Sequence, residues 1–341
     1  MNSLIFILAL LVLLATLLAT IDLFFGIRSM SRLSDIQPLQ VERQPLISII
    51  VPACNEEKNI EKAILSQLQQ NYTRFEVIAV NDRSTDSTGP ILDKLESKNE
   101  NLKVLHINDL PEGWMGKAHA MQCGAELADG EYLLFTDADI LMEGSTLARA
   151  ACCMFRKRLD HISLNFRNIS SGWLLNSLIL ESGAGLLQLF RPWRAKKASA
   201  RNFIGVGAFN MVKRETYLAV DGHERIRMHP IDDIMLGKII KRNGYRQECL
   251  LGTDLVTVPW YESIKEMIDG LMKNVMAIIN YRFFMLIPFL LGMVILNIVP
   301  LWGALFSEGY TQLLWLVVVV IKMGAFYYGT RLLSITPWCA L

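Results

Sequence analysis

The chain has 341 residues, 52% of them hydrophobic, and a formal net charge of +1. That balance carries no basic excess that would point to nucleic acid. The six cysteines, Cys54, Cys123, Cys152, Cys153, Cys249 and Cys339, contain no C-x-x-C pair; they exclude a zinc-knuckle spacing and a disulfide framework, and read as scattered buried thiols in a reducing compartment.

The chain opens on an uncharged apolar run at residues 4–21. About twenty helical residues cross a hydrocarbon core. A cleaved signal peptide would need a basic start and a shorter apolar core, and Met1-Asn2-Ser3 has no basic side chain. Residues 1–26 are therefore predicted to be an uncleaved anchor, and residues 27–45 a linker. Arg28, Arg32 and Arg43 come after the anchor. Basic residues favour the cytosolic side, so the central domain is expected in the cytosol.

Residues 46–275 read as a water-soluble α/β domain. The run 46–51 is apolar and β-branched and stops at Pro52, as a buried parallel strand does. A helix comes next, with Ile60, Ala63, Ile64 and Leu68 on one face and Glu56, Glu57 and Glu61 around its first turns. A second strand, 75–80, ends at Asn81-Asp82. A helix and strand at 91–95 and 104–107, a helix at 116–127 and a strand at 132–135 complete the alternation. The last strand ends at Thr136-Asp137-Ala138-Asp139. Alternating strands and helices predict a mostly parallel sheet with helices on both faces. Ligands in such sheets bind beyond the carboxyl ends of the strands, where three polar clusters occur here. Dinucleotide binding would need G-x-G-x-x-G after the first strand, and Pro52-Ala53-Cys54-Asn55-Glu56 has no glycine.

Before the helix at 116, Glu112-Gly113-Trp114-Met115-Gly116-Lys117 could cradle a diphosphate, or form a solvent turn with a surface lysine. Asp137 and Asp139, at i and i+2 after a buried strand, could share a hard cation. Residues 173–190 are apolar and precede Arg191, Arg194, Lys196, Lys197 and Arg201. Residues 171–201 thus fit a membrane-interface segment, and equally a core helix with a solvated end. Asp232-Asp233 begin a helical stretch, where acids suit the helix dipole whether or not they act in chemistry. Residues 276–341 are predicted to be a membrane hairpin and tail. Two apolar stretches, 283–306 and 311–329, flank Ser307-Glu308-Gly309-Tyr310. Lys322 inside the second is costly there and has to snorkel, pair, or line a polar cavity. With the anchor, three spans are predicted. The tail after 332 is apolar again, as a shortened further segment would be.

Taken in order, five pieces resemble the family 2 glycosyltransferases with the GT-A fold. They are Val51-Pro52-Ala53-Cys54-Asn55-Glu56, Val80-Asn81-Asp82-Arg83-Ser84-Thr85-Asp86, Leu134-Phe135-Thr136-Asp137-Ala138-Asp139, Gly205-Val206-Gly207-Ala208-Phe209, and Ile231-Asp232-Asp233. Each is loose and the ordered set is specific. The resemblance implies an inverting, metal-dependent sugar transfer from a UDP-sugar. Pro52, Ala53, Asn55, Glu56, Asn81 and Asp82 would hold the nucleoside. Lys117 would reach the diphosphate. Asp137 would lie nearer the nucleotide, and Asp139 nearer an Mn²⁺ or Mg²⁺ ion. Asp233, with Asp232 beside it, would supply the general base. Gly205, Gly207, Ala208, Phe209 and His223 would form the acceptor side. Processive polysaccharide synthases of the family carry Q-x-x-R-W after the late acids, and this chain does not. That favours transfer of one sugar to a membrane lipid, as in the ceramide, hopanoid and carotenoid members, over polymer synthesis. A non-catalytic scaffold is the remaining alternative, and the intact acidic set speaks against it. No motif encodes the sugar or the oligomeric state.

Overall fold

The computed structural model describes residues 2–38, 44–199 and 201–332. Arg43, Cys339 and the tail beyond Leu332 lie outside the described residues. The chain divides into two compact units. One comprises Met1–Ser29, Ser170–Arg191 and Tyr261–Leu341; the other, Met30–Ile169 and Pro192–Trp260.

The chain leaves α1 (Asn2–Arg28) and enters the second unit. Residues 32 and 33 are already part of it. Arg32 bridges in parallel to Leu251, and Leu33 is fully buried. β1 (Ile47–Ala53) is buried along nearly its whole length, because both of its faces are covered. α2 (Ile60–Leu68) turns Ile60, Ala63 and Ile64 inward, at the spacing of one helical face. β2 (Phe75–Asp82) is buried at every residue. Then come α3 (Thr88–Glu96), β3 (Leu102–Ile107), α4 (Gly116–Leu127), β4 (Tyr132–Phe135) and the short β5 (Leu141–Met142). α5 (Thr146–Lys157) is followed by β6 (His161–Asn165) and β7 (Arg167–Asn168).

After α6 (Trp173–Phe190), which belongs to the first unit, the chain returns. It forms β8 (Asn210–Lys213), α7 (Arg214–Ala219), α8 (Asp232–Arg242), β9 (Gln247–Leu251) and β10 (Val256–Val258). The main sheet runs β3-β2-β1-β4-β8-β6-β9. β3, β2, β1 and β4 are parallel; β8 runs against both of its neighbours; β9 is parallel to β6. A three-stranded sheet, β5-β10-β7, accompanies it. Two apolar clusters, one containing Ile49, Val77 and Phe209, the other Ile50, Val80 and Phe135, cover the main sheet's two faces. This is the α/β layering predicted from the alternation.

The end of the sheet opposite the strand tips is tied by one buried acid. Glu76 Oε1 accepts from Ser48 Oγ at 2.6 Å and from the Asp129 amide at 2.9 Å, and Lys103 Nζ lies 2.8 Å from Oε2. These bonds outweigh the effect of burial and hold the Glu76 carboxyl below its usual range.

The first unit is helical. After α6 it continues with α9 (Ile264–Ile278), α10 (Leu286–Met293), α11 (Val299–Phe306) and α12 (Gly309–Leu332). Ala9 and Val12 of α1 are buried with Trp315 and Val318 of α12. Gly303 is required where it stands, since a Cβ there would lie 2.3 Å from the Trp315 ring. Lys322 pairs: its Nζ donates to Asn297 Oδ1, on a π-helical turn between α10 and α11. Among the described residues, four helices are long and apolar enough to cross a membrane: Ser3–Arg28, Trp173–Arg194, Phe283–Phe306 and Gly309–Arg331. The sequence predicts three. The additional one is the segment whose composition suits an interfacial and a core helix equally.

Candidate active site

The tips of β1 and β2 are stitched to each other. Asn55 sits at φ 59° and Arg83 at φ 55°, left-handed conformations that Asn tolerates and Arg rarely adopts. Asn55 Oδ1 accepts from the Thr85 amide at 2.8 Å, and the Asn55 amide donates to Ser84 Oγ at 3.0 Å. The Glu56 amide donates to Thr88 Oγ1 at 2.8 Å, and the Glu57 amide to Asp86 Oδ2 at 3.1 Å. Sequence distance between the two loops is thereby closed by side chains serving backbone groups.

Asp82 ends β2 and is buried. The Arg83 fork donates to it twice, Nε to Oδ1 at 2.7 Å and Nη2 to Oδ2 at 3.0 Å. Gly116, the first residue of α4, approaches this pair so closely that a Cβ would lie 2.5 Å from both Asp82 Oδ2 and Arg83 Nη2. A side chain at 116 would have to displace the Asp82–Arg83 pair where the 112–117 loop comes down on the β2 tip.

The next residue, Lys117, extends from the same helix start and places Nζ 2.6 Å from Asp137 Oδ1. Burial alone would lower the Lys117 ammonium; Asp137, Asp232 and Asp233 outweigh it and hold the group above the ordinary lysine range. Ala138 is buried in the core below β4, which leaves the carboxylates on either side of it half-buried. Burial, with Asp137 and Glu56 close by, pushes the Asp139 carboxyl up to about 7. Burial and the adjacent Asp232 push Asp233 up to about 7 as well. Asp232 is buried, and its Oδ2 has no hydrogen-bond partner among the described residues.

The 205–207 segment lies between the two acidic groups. A Cβ on Gly205 would be 1.8 Å from the Asp233 carbonyl oxygen, and one on Gly207 would be 2.7 Å from Asp137 Oδ2. This strip of backbone therefore touches both groups, and neither glycine has room for a side chain. Glu56, Asp137, Asp139, Asp232, Asp233 and Lys117 thus belong to one electrostatic neighbourhood at the strand tips. Carboxylates outnumber the single ammonium there, and the excess charge suits a hard cation. Among the described residues no three His, Cys, Asp or Glu side chains are grouped as a self-sufficient metal site.

Other residues singled out in the sequence stand further back. Asn81 is buried, with Nδ2 2.9 Å from His106 Nδ1, and Ala53 is buried in the core. Ala208 and Phe209 are buried, behind the site and not on its surface. His223, expected on the acceptor side, is 1% exposed. Its Nδ1 lies 2.9 Å from Tyr217 Oη, and its ring meets Phe135 edge-on at 4.7 Å. Burial lowers it to about 4, so it is neutral. Two residues have roles that sequence reasoning misses: Arg83, which clamps Asp82, and Gly116, which admits the loop. Their positions in the D-R-S and G-x-x-G-K runs are the available signal.

The protein-family model described as "Glycosyl transferase family 2" matches residues 48–217. The chain is 26% identical over 239 residues to the 4,4'-diaponeurosporenoate glycosyltransferase of Staphylococcus haemolyticus, covering 67% of this chain and 60% of that protein. It is 32% identical over 137 residues to the poly(ribitol-phosphate) beta-N-acetylglucosaminyltransferase TarS of Staphylococcus aureus, covering 40% of this chain and 23% of the relative. The match therefore spans less than two thirds of either relative. Among solved structures, the mannosyltransferase PcManGT from Pyrobaculum calidifontis, in complex with GDP-Man and Mn²⁺, superposes with a TM-score of 0.62 at 18% identity, over 98% of this chain and 97% of that one. That likeness shares the GT-A architecture. With its ordered motifs, its sheet topology and the family match in agreement, the chain belongs to glycosyl transferase family 2.

Proposed function

We propose that the protein is an inverting glycosyltransferase that moves one sugar from a UDP-sugar to a membrane lipid, with the help of Mn²⁺ or Mg²⁺. The observation that carries this reading is the convergence of Lys117, Asp137 and the Asp232-Asp233 pair, which come from three separate stretches of chain. Asp82 and the stitched 54–57 and 83–88 loops form a polar rim suited to base and ribose. Lys117 neutralises phosphate charge. Asp137 and Asp139 are the carboxylates that would hold the divalent ion, and the surplus negative charge around them fits it. The ion would supply charge neutralisation on the departing diphosphate.

Asp233 accepts the acceptor hydroxyl proton as that oxygen bonds to the anomeric carbon. The bond from this carbon to the phosphate oxygen breaks, and UDP leaves. Attack from the face opposite the leaving group inverts the anomeric centre. A carboxyl raised to about 7 is a stronger base than an exposed aspartate and is still largely ionised above that pH. The lipid acceptor is supported by the four helices suited to a membrane, and by the relative named for diaponeurosporenoate glycosylation.

The test is turnover by purified full-length protein in detergent, with Mn²⁺, a panel of radiolabelled UDP-sugars and a total lipid extract. One labelled glycolipid is expected; a ladder would mark a polymerising enzyme. Asp139→Asn and Asp233→Asn should each lower turnover by roughly 10²-fold or more. Unchanged transfer by either variant would remove that residue from the mechanism.

A further inference from the structure

Three polar side chains are buried together in the second unit: His161 on β6, Asn210 on β8 and Gln247 on β9, each at most 2% exposed. Burying such groups is costly unless each is hydrogen-bonded, and an apolar core would avoid the cost altogether. Here the bonds close into a network. Gln247 Nε2 donates to His161 Nδ1 at 2.7 Å. The imidazole therefore carries its proton on Nε2, which faces Asn210 Oδ1. Burial lowers His161 to about 4, so this neutral tautomer persists at physiological pH.

Besides a long bond from Ser163 Oγ to Asn210 Oδ1 at 3.5 Å, three further side-chain bonds leave the network. Gln247 Oε1 accepts from the Ile204 amide at 3.0 Å. Gln247 Nε2 donates its second hydrogen to the Gly237 carbonyl at 3.0 Å. Asn210 Nδ2 donates to the Asp233 carbonyl at 3.4 Å. All three end on two pieces of backbone, the 204–207 strip and the first turns of α8. Those pieces press on each other with no space for side chains: a Cβ on Gly237 would lie 1.9 Å from the Ile204 carbonyl oxygen, as one on Gly205 would meet Asp233. The strip then continues to Gly207, against Asp137.

We propose that His161, Asn210 and Gln247 are positioning residues that clamp the 204–207 strip to α8 and so set the reach of Asp233 relative to Asp137. The inference rests on the reading of Asp233 as the base. The network touches no reacting atom; it fixes the spacing between proton acceptor and diphosphate side, and misplacement on the ångström scale can cost about 10²-fold in rate.

The experiment uses the full-length protein and two near-isosteric variants. Asn210→Asp keeps the acceptor for His161 but turns an oxygen toward the Asp233 carbonyl. Gln247→Glu keeps the acceptor for Ile204 and loses both donated bonds. Hydrogen–deuterium exchange should rise in 204–208 and 231–238 while β1 and β2 stay protected. Turnover with the donor identified in the panel should fall about tenfold or more in kcat, with KM for that donor and affinity for UDP with Mn²⁺ within twofold. Uniformly raised exchange, unchanged exchange, or localised loosening with kcat intact would each overturn the proposal. If the wild type turns over no donor, the functional reading fails. The exchange pattern then still decides whether the network holds these two segments.

Discussion

Asp233, the proposed base, shows how one side chain can cost stability. Its amide neighbour helps: the Ile234 N–H donates to Asp233 Oδ1 at 2.7 Å, as expected at a helix start. Burial and Asp232 nevertheless raise its carboxyl to about 7. A carboxyl whose folded value is raised is charged above that value, and there the full cost of burying the charge opposes folding. In the folded state at pH 5 it is protonated and much of that cost is relieved; the rest goes as pH falls to the ordinary value of 3.8. Asp233→Asn removes the charge and keeps the shape and the Ile234 bond. With EDTA present, the variant should melt several degrees above the wild type at pH 8, and the difference should be clearly smaller at pH 5. Equal differences at both pH values, or a less stable variant at pH 8, would show that burial does not strain this residue.

At the scale of elements, the sheet keeps its buried Glu76 tie and its proposed site at opposite ends. β2 carries Glu76 near its start and Asp82 at its end, about 20 Å apart at the rise of an extended strand. Glu76 satisfies Ser48, the Asp129 amide and Lys103. Glu76→Ala leaves those groups without their acceptor and should cost about 2–4 kcal/mol, measured by pulse proteolysis in detergent. The fraction that remains folded should keep wild-type turnover. A variant with normal stability and lost turnover would contradict this division of labour. The strands and helices up to β4 are legible in sequence because period and burial agree there: β1 is apolar apart from Ser48, β2 carries the apolar run 77–80, and α2 turns one face inward. β8 running antiparallel between β4 and β6 is not, since its side-chain pattern says nothing about direction.

At the scale of the whole molecule, apolar helices accompany a polar site, and the topology proposed from Arg28 and Arg32 puts that site in the cytosol. Cys54 makes this testable. Among the described cysteines, Cys54 is exposed, Cys123 is partly buried, and Cys152, Cys153 and Cys249 are buried. In a Cys339→Ser background, a membrane-impermeant maleimide should label Cys54 only after the vesicle interior that corresponds to cytosol is opened. Burial and the nearby Asp82 raise the thiol, so labelling is slow at neutral pH and faster above it. UDP with Mn²⁺ should slow it further. Labelling of sealed, right-side-out vesicles would place the site on the other side.

Composition, hydrophobic period and ordered motifs determined the α/β class, the apolar ends, the family resemblance and the acids worth examining, because each is a local property of the chain. They could not say that Lys117 meets Asp137, that Gly205 and Gly207 leave no gap beside Asp233 and Asp137, or that His223 faces inward to Tyr217. Those facts depend on which distant segments the sheet brings within a few ångströms. The His161–Asn210–Gln247 network makes the same point: three ordinary polar residues, 86 positions apart at the extreme, acquire meaning only when neighbouring strands bury them against one helix.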